Sequence, residues 1–240
     1  MARNRVIYQS EALYVSKEAT STTAADHEQL DRVQSANYSF NISRQDVNQF
    51  GQLGKVGSMV LEAPTVSTDT SYLVTNGFNE RALGFFVQTG SIAEGSFISG
   101  HLNDGSGQNL FIKTVGEGVD ANGADAATTD DVLGVGNAYL TDYTLDLSVG
   151  SLPTASVSFE AANIQSSAGN SIGVPAIEQA DGTAVGGTVT LANAISGTSN
   201  TIALRPGDIT VDLNNIDTQT VVDIGTPDSD SAHIQSASLS

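Results

Sequence analysis

The chain has 240 residues with nine Lys plus Arg against 27 Asp plus Glu, a formal net charge of -18 although only 15% of residues are charged. The imbalance comes from missing bases, and eight of the nine lie at or before Lys113, leaving Arg205 alone among the 16 acids that follow. Such a surface excludes a nucleic-acid reader, which needs Lys and Arg to displace phosphate counterions. The lack of cysteine excludes disulfides, thiolate metal sites and a Cys nucleophile.

In chain order, "RVIYQSEALYVS" places Val6, Tyr8, Ala12 and Tyr14 at strand-like alternation. "ATSTTAADHEQLD", residues 19–31, is small and polar and reads as a loop. In "RVQSANYSFNISRQDVNQFGQLG", residues 32–54, Ala36, Tyr38, Phe40 and Ile42 alternate with Asn37, Ser39 and Asn41, the pattern of a strand with one wet face. Ser43 then stands where an N-cap would, with Asp46 three residues on and Val47 and Phe50 at helical spacing. This predicts a short helix from Ser43 to Leu53 that packs Val47 and Phe50 against the strand. "GSMVLEAPTVSTDTSYLVT" resumes strand character, broken at Pro64.

Farther on, "NDGSGQN" reads as a glycine-rich hairpin turn between two apolar runs. "DANGADAATTDD", Asp120 to Asp131, reads as an acidic loop; its spacing departs from a calcium loop, with Ala124 at the fifth position and Asp131 instead of Glu at the twelfth. The clearest alternation follows: Leu140, Tyr143, Leu145, Leu147 and Val149, a "GSLP" turn, then Ala155, Val157 and Phe159, which together predict two paired strands. Residues 166–232 are rich in Gly, Ser, Thr, Ala and Asp with short apolar runs, and read as a loop-rich β extension or linker.

No constellation for catalysis emerges. His27, His101 and His233 stand apart in polar settings and read as solvent-exposed. The "GEG" and "GVG" glycines open no helix and lack the GK[ST] of a phosphate loop, and no Ser or Thr has a His or Lys partner by spacing. No enzyme, cofactor or metal is expected. No apolar run reaches the ~18 residues of a membrane-spanning helix, so membrane insertion is not expected. One internal echo stands out: "HIQSASLS", residues 233–240, repeats "RVQSANYS", residues 32–39, with four identities and two apolar replacements. The chain thus divides into an N-terminal arm (1–30), a β domain (31–165), the extension (166–232) and the start of a possible second repeat (233–240).

"VQSANYSFNISRQDVNQFGQLG", "VLEAPTVSTDTSYL", "NERALGF" and above all "LTDYTLDLSVGSLPTASVSFEA" resemble the tail tube (major tail) proteins of tailed bacteriophages, and the echo at residue 233 leans toward those of the tandem-domain kind. The resemblance implies a mainly β sandwich or barrel with one short flanking helix. It further implies subunits that join sheets into six-fold rings, or trimers with pseudo-six-fold symmetry, and stack into the tube through which DNA leaves the capsid. The implied partners are further copies of the chain, the tape-measure, initiator and terminator proteins, and DNA only transiently in the lumen; the implied location is the virion tail, assembled in the host cytoplasm. The candidate assembly elements are Tyr38, Phe40, Ile42, Val47, Phe50, Tyr143, Leu145, Leu147, Val157 and Phe159. A β-sandwich adhesin or capsid decoration module that binds a glycan or coat protein is the alternative. A lumen of Asp, Glu and small polar residues would repel phosphates, which gives the acidity a use.

Overall fold

The computed structural model describes residues 11–16, 18–62, 64–85, 88–89, 92–93, 107–116, 121, 130–148, 150–177, 185–192 and 236–240. Val6, Tyr8, His101, His233, most of the Asp120–Asp131 loop and all of 193–235 lie outside them. The fold is mainly β. Fifteen strands are formed among the described residues, nine of them in one antiparallel sheet, with a single short α-helix.

The organising element is β10 (Asp131–Ser148), 18 residues long. Its first half pairs with β9 (Gln108–Thr114) on one edge and β12 (Asn163–Ala168) on the other. Its second half pairs with β11 (Thr154–Ala161) and, on the β9 edge, with β15 (Ser236–Leu239). Register breaks between Val135 and Ala138 and between Leu140 and Asp142, with Asn137 at φ 52, bend the strand between its halves, as bulges do. Two leaves result. The first runs β2 (His27–Gln29), β1 (Ala12–Ser16), β9, β10, β12; the second runs β15, β10, β11, β6 (Thr65–Leu73), β3 (Val33–Asn41).

One core lies between the leaves. Leu13, Val15, Leu110, Ile112 and Val135 from the first leaf cluster with Val66, Tyr72, Ala155, Val157 and Phe159 from the second. The reverse face of the first leaf is also dry: Tyr14, Phe111 and Val132 meet Ile172, Val174, Val189 and Leu191. Those last residues belong to or flank the hairpin of β13 (Ser171–Gly173) and β14 (Thr188–Thr190). Gly136 is where this layer approaches most closely, since a Cβ there would stand 2.1 Å from the Pro175 carbonyl oxygen. Burial on both faces explains why β1 and β9 are nearly continuous runs of buried residues instead of alternating ones.

Lys113 and Asp130 sit within this second layer, Nζ to Oδ2 at 2.9 Å with both side chains at 0% exposure. Among the described residues neither group finds a hydrogen-bond partner besides. A charge removed from water this completely is tolerable only when paired.

The helix α1 (Phe78–Ala82) follows Gly77, whose φ of 79 lets the chain turn into it, while the Asn76 side-chain oxygen accepts the Phe78 N–H at 3.2 Å. It ties to the strands through its polar groups. Asn79 exchanges two 2.8 Å hydrogen bonds with the Asp31 backbone. Glu80 Oε1 accepts from the hydroxyls of Tyr72 at 3.0 Å and Tyr143 at 3.2 Å. Burial, then the Glu80 charge, push the Tyr143 phenol up to about 12 and raise Tyr72 in the same direction.

Three expectations are corrected. Ser43 to Leu53 is not a helix: β4 (Arg44–Val47) and β5 (Gly57–Val60) form an antiparallel hairpin, with Val56 N–H donating to the Val47 carbonyl and Leu61 N–H to that of Ser43. Glycines at 51, 54 and 57 leave too few residues to offset helix nucleation, and nothing lies alongside to bury Val47 and Phe50. The flanking helix forms instead at "FNERA". His27 is not exposed: it is 6% accessible, donates from Nδ1 to the Thr23 carbonyl at 2.8 Å, and meets the Phe111 ring edge-on. Its strand β2 also shortens the loop expected over residues 19–31.

Candidate assembly surface

The second leaf alternates strictly, so its two faces differ completely. β6 and β11 bury every second residue into the core. The residues between them point to the other face, and the pairing registers assemble that face in cross-strand rows. Asn37, Asp69, Ser158 and Asp142 form one row. Ser35, Ser71, Ser156 and Thr144 form the next, and Ser39, Ser67, Glu160 and Tyr139 lie on the opposite side of the first. Leu73, Thr154, Asp146 and Ser238 complete it.

Hydroxyls knit the rows together: Ser35 to Ser71 at 2.6 Å, Ser39 to Ser67 at 2.7 Å, and Ser158 donating to Asp69 at 2.8 Å. At ordinary strand spacing the patch is about 15–20 Å wide and about 25 Å long. Its rows carry four carboxylates, Asp69, Asp142, Asp146 and Glu160, and no Lys, Arg or His; exposed Arg32 borders the Leu73 row, its carbonyl accepting the Leu73 N–H at 3.1 Å. Two unit charges 4 Å apart in water interact by about 1 kcal/mol, screened over about 8–10 Å. The face therefore repels polyanions only near contact, and offers them no counter-charge.

Among the described residues the patch is bounded by sheet edges: β3 pairs only with β6, and β15 only with β10. A groove of about 410 Å³ separates the outer edge of β3 from β1, lined in part by Glu11, Leu13, Val33 and Ala36. Beyond β3 projects the β4–β5 hairpin, and its apolar residues face solvent: Phe50 and Leu53 are 108% and 109% exposed, with Val47, Val56, Met59, Val60 and Leu61 also exposed. Single exposed apolar residues are ordinary, but seven on one projecting hairpin make it a candidate contact surface.

The structure sorts the ten candidate residues into three groups. Tyr38 and Phe40, at 50% and 57% exposure, lie on the core-side face of an edge strand, and Val47 and Phe50 lie on the hairpin. Ile42, Tyr143, Leu145 and Leu147 are half-buried, the latter three on β10 near its β15 edge. Val157 and Phe159 are fully buried in the core between the leaves. The residues of the polar face are legible in the sequence only as the wet phase of each strand. Leu53, Val56 and Met59 give no signal there, because the predicted helix ends at Leu53 and the grouping arises only from the pairing of β4 with β5.

Among the described residues no group of His, Cys, Asp or Glu is arranged to hold a metal, and no helix is long and apolar enough to cross a membrane.

No protein-family model matches the chain, and neither does any curated protein. Its structural neighbours are components of phage-like tail assemblies. The anti-feeding prophage tube-terminating cap aligns at 13% identity and TM-score 0.44, over 70% of this chain and 94% of its own. A chain of the sheath-tube complex of the PVC extracellular contractile injection system aligns at 10% identity and TM-score 0.42, with the same coverage. The SPP1 tail tube aligns at 11% identity and TM-score 0.37, over 68% of this chain and 80% of its own. At these values the function has to be argued from the chain's own surfaces.

Proposed function

We propose that the chain is a structural virion protein that assembles into rings stacked as a tail tube, with the polar face of the second leaf lining the conduit for DNA. The observation that carries this reading is that face: cross-strand rows on β3, β6, β11, β10 and β15 made mostly of Ser, Thr, Asn, Asp and Glu, with no base among them, bounded among the described residues by a sheet edge on each side. A sheet whose outer face is wet and acidic and whose edges can be paired by neighbours is suited to closing around a channel. DNA sliding along it meets hydroxyls and carboxylates, and phosphate contacts that need Lys or Arg cannot form.

The exposed β4–β5 hairpin stands outside the leaf and supplies apolar area for contact with the next ring. In this reading the chain has no catalytic residue, and its partners are copies of itself and the proteins that start, measure and end a tail. Negative-stain microscopy of the purified chain, concentrated with a tail initiator, tests it. Rings or tubes are the expected result, and a strictly monomeric protein under those conditions would sink the reading.

A further inference from the structure

β15 and β3 are related in sequence and occupy opposite edges of the same leaf. Ser236, Ala237 and Ser240 repeat Ser35, Ala36 and Ser39, and Leu239 stands where Tyr38 does. β15 seats on β10 in a defined register, Leu145 opposite Leu239, Asp146 opposite Ser238, Leu147 opposite Ala237 and Ser148 opposite Ser236. We infer that β15 holds, within one chain, the place that β3 of the next copy takes in the ring, and that assembly replaces the one with the other. This rests on the ring-forming reading above and specifies its junction.

The register transfers directly. It sets Tyr38 opposite Leu145, Asn37 opposite Asp146, Ala36 opposite Leu147 and Ser35 opposite Ser148, and continues with Ser39, Phe40 and Asn41 opposite Thr144, Tyr143 and Asp142. Every pair keeps like with like. Asn37, Ser39 and Asn41 join the polar face that already holds Asp142, Thr144 and Asp146. Tyr38 and Phe40 fall on the core side beside Leu145 and Tyr143, which accounts for two large apolar side chains left half-exposed on an edge strand. A one-residue slip would turn both onto the wet face.

Strand direction selects replacement over simple addition. Across the leaf each neighbour is antiparallel, so β3 and β15 run in the same sense and β10 in the opposite one. Rotation about a ring axis preserves each strand's sense along that axis. A neighbouring β3 therefore meets β10 antiparallel, like every other pair in the sheet, but would meet the outer edge of β15 parallel, a weaker pairing. Until then β15 covers the acceptor edge, which otherwise invites promiscuous pairing.

The absence of cysteine makes disulfide trapping clean. Asp146→Cys is combined with Asn37→Cys to report the junction between copies, and with Ser238→Cys to lock β15 in place; all three positions are exposed. Oxidised tubes of the first double variant are expected to show most subunits in covalent multimers on non-reducing gels. The second double variant, oxidised before assembly, is expected to grow tubes at least tenfold more slowly and to recover on reduction. Normal tube growth with the lock on β15 still oxidised, or tubes of the first double variant that yield no covalent multimers, overturns the inference while leaving ring formation standing. Failure of the wild-type chain to form any tube overturns the ring-forming reading and this junction with it.

Discussion

Replacing Phe50 and Leu53 together by Ser separates folding from assembly. Both side chains are fully exposed in the single subunit, at 108% and 109%, so the double variant loses no internal contact. Surface changes of this kind shift stability by no more than about 0.5 kcal/mol. If the hairpin tip is buried between stacked rings, each side chain contributes about 1.5–3 kcal/mol on burial. Ordering a side chain at an interface costs about 0.5–1.5 kcal/mol. The net for the pair is on the order of 2–4 kcal/mol per subunit, and at 1.4 kcal/mol per tenfold this raises the critical concentration for tube growth about 30- to 700-fold. Light scattering against protein concentration measures that threshold, and thermal unfolding monitored by circular dichroism measures the subunit. An unchanged threshold would refute burial of the tip. A fall in melting temperature that accounts for the loss of assembly would refute the separation itself.

The polar face gives a second test: changing Asp69 and Glu160, which lie on the inner strands β6 and β11 away from the junction, to Lys should leave rings intact but make their lumen retain DNA, with retention falling steeply as salt rises, as in any phosphate contact; tubes that remain inert to DNA would show that this face does not line the channel. The buried pair gives a third. Asp130→Asn leaves the Lys113 charge unpaired and should destabilise by about 3–5 kcal/mol, while Lys113→Met with Asp130→Leu should be neutral or stabilising by up to about 4 kcal/mol, read from urea midpoints. A single change that costs no more than the double would remove the pair as a constraint. The fourth concerns pH. Burial holds the His27 pKa below its ordinary value of 6.5, against the opposing pull of the Thr23 carbonyl and Asp26. The unfolded chain then binds the proton more readily, so the contribution of His27 to stability is complete above about pH 6.5 and declines as pH falls through that value. His27→Gln should flatten this part of the profile, and an unchanged slope below about pH 6.5 would assign it elsewhere.

What can be read from the chain alone follows from which faces are wet. β10, β11 and the turn between them are legible because the second leaf has water on one side, so Tyr143, Leu145, Val157 and Phe159 alternate with polar neighbours. β1 and β9 give a weaker signal because both of their faces are dry, and the layer that dries the outer one comes from residues 172–176 and 185–191, far away in sequence. The hairpin over 44–60 mimics a helix because Val47 and Phe50 fit one by spacing, while the competing pattern depends on a partner strand ten or more residues on. His27 looks exposed for a related reason: its neighbours are polar, and the Phe111 ring that covers it arrives from another strand. The polar face can be named only once registers are known, since alternation gives the phase of one strand and not which residues line up across four.

The dry first leaf also has a mechanical consequence. A wall made of the second leaf alone would be a single sheet, one residue thick behind its wet surface, and such ribbons twist and flex readily. Here the core between the leaves bonds that sheet to another, and residues 172–176 and 185–191 bond a third layer behind it, each sheet spacing adding about 10 Å. A cylinder built from these subunits would be a laminate whose resistance to bending rises steeply with thickness. The small-residue inner surface can then stay smooth and weakly interacting, because rigidity is supplied by the plies outside it.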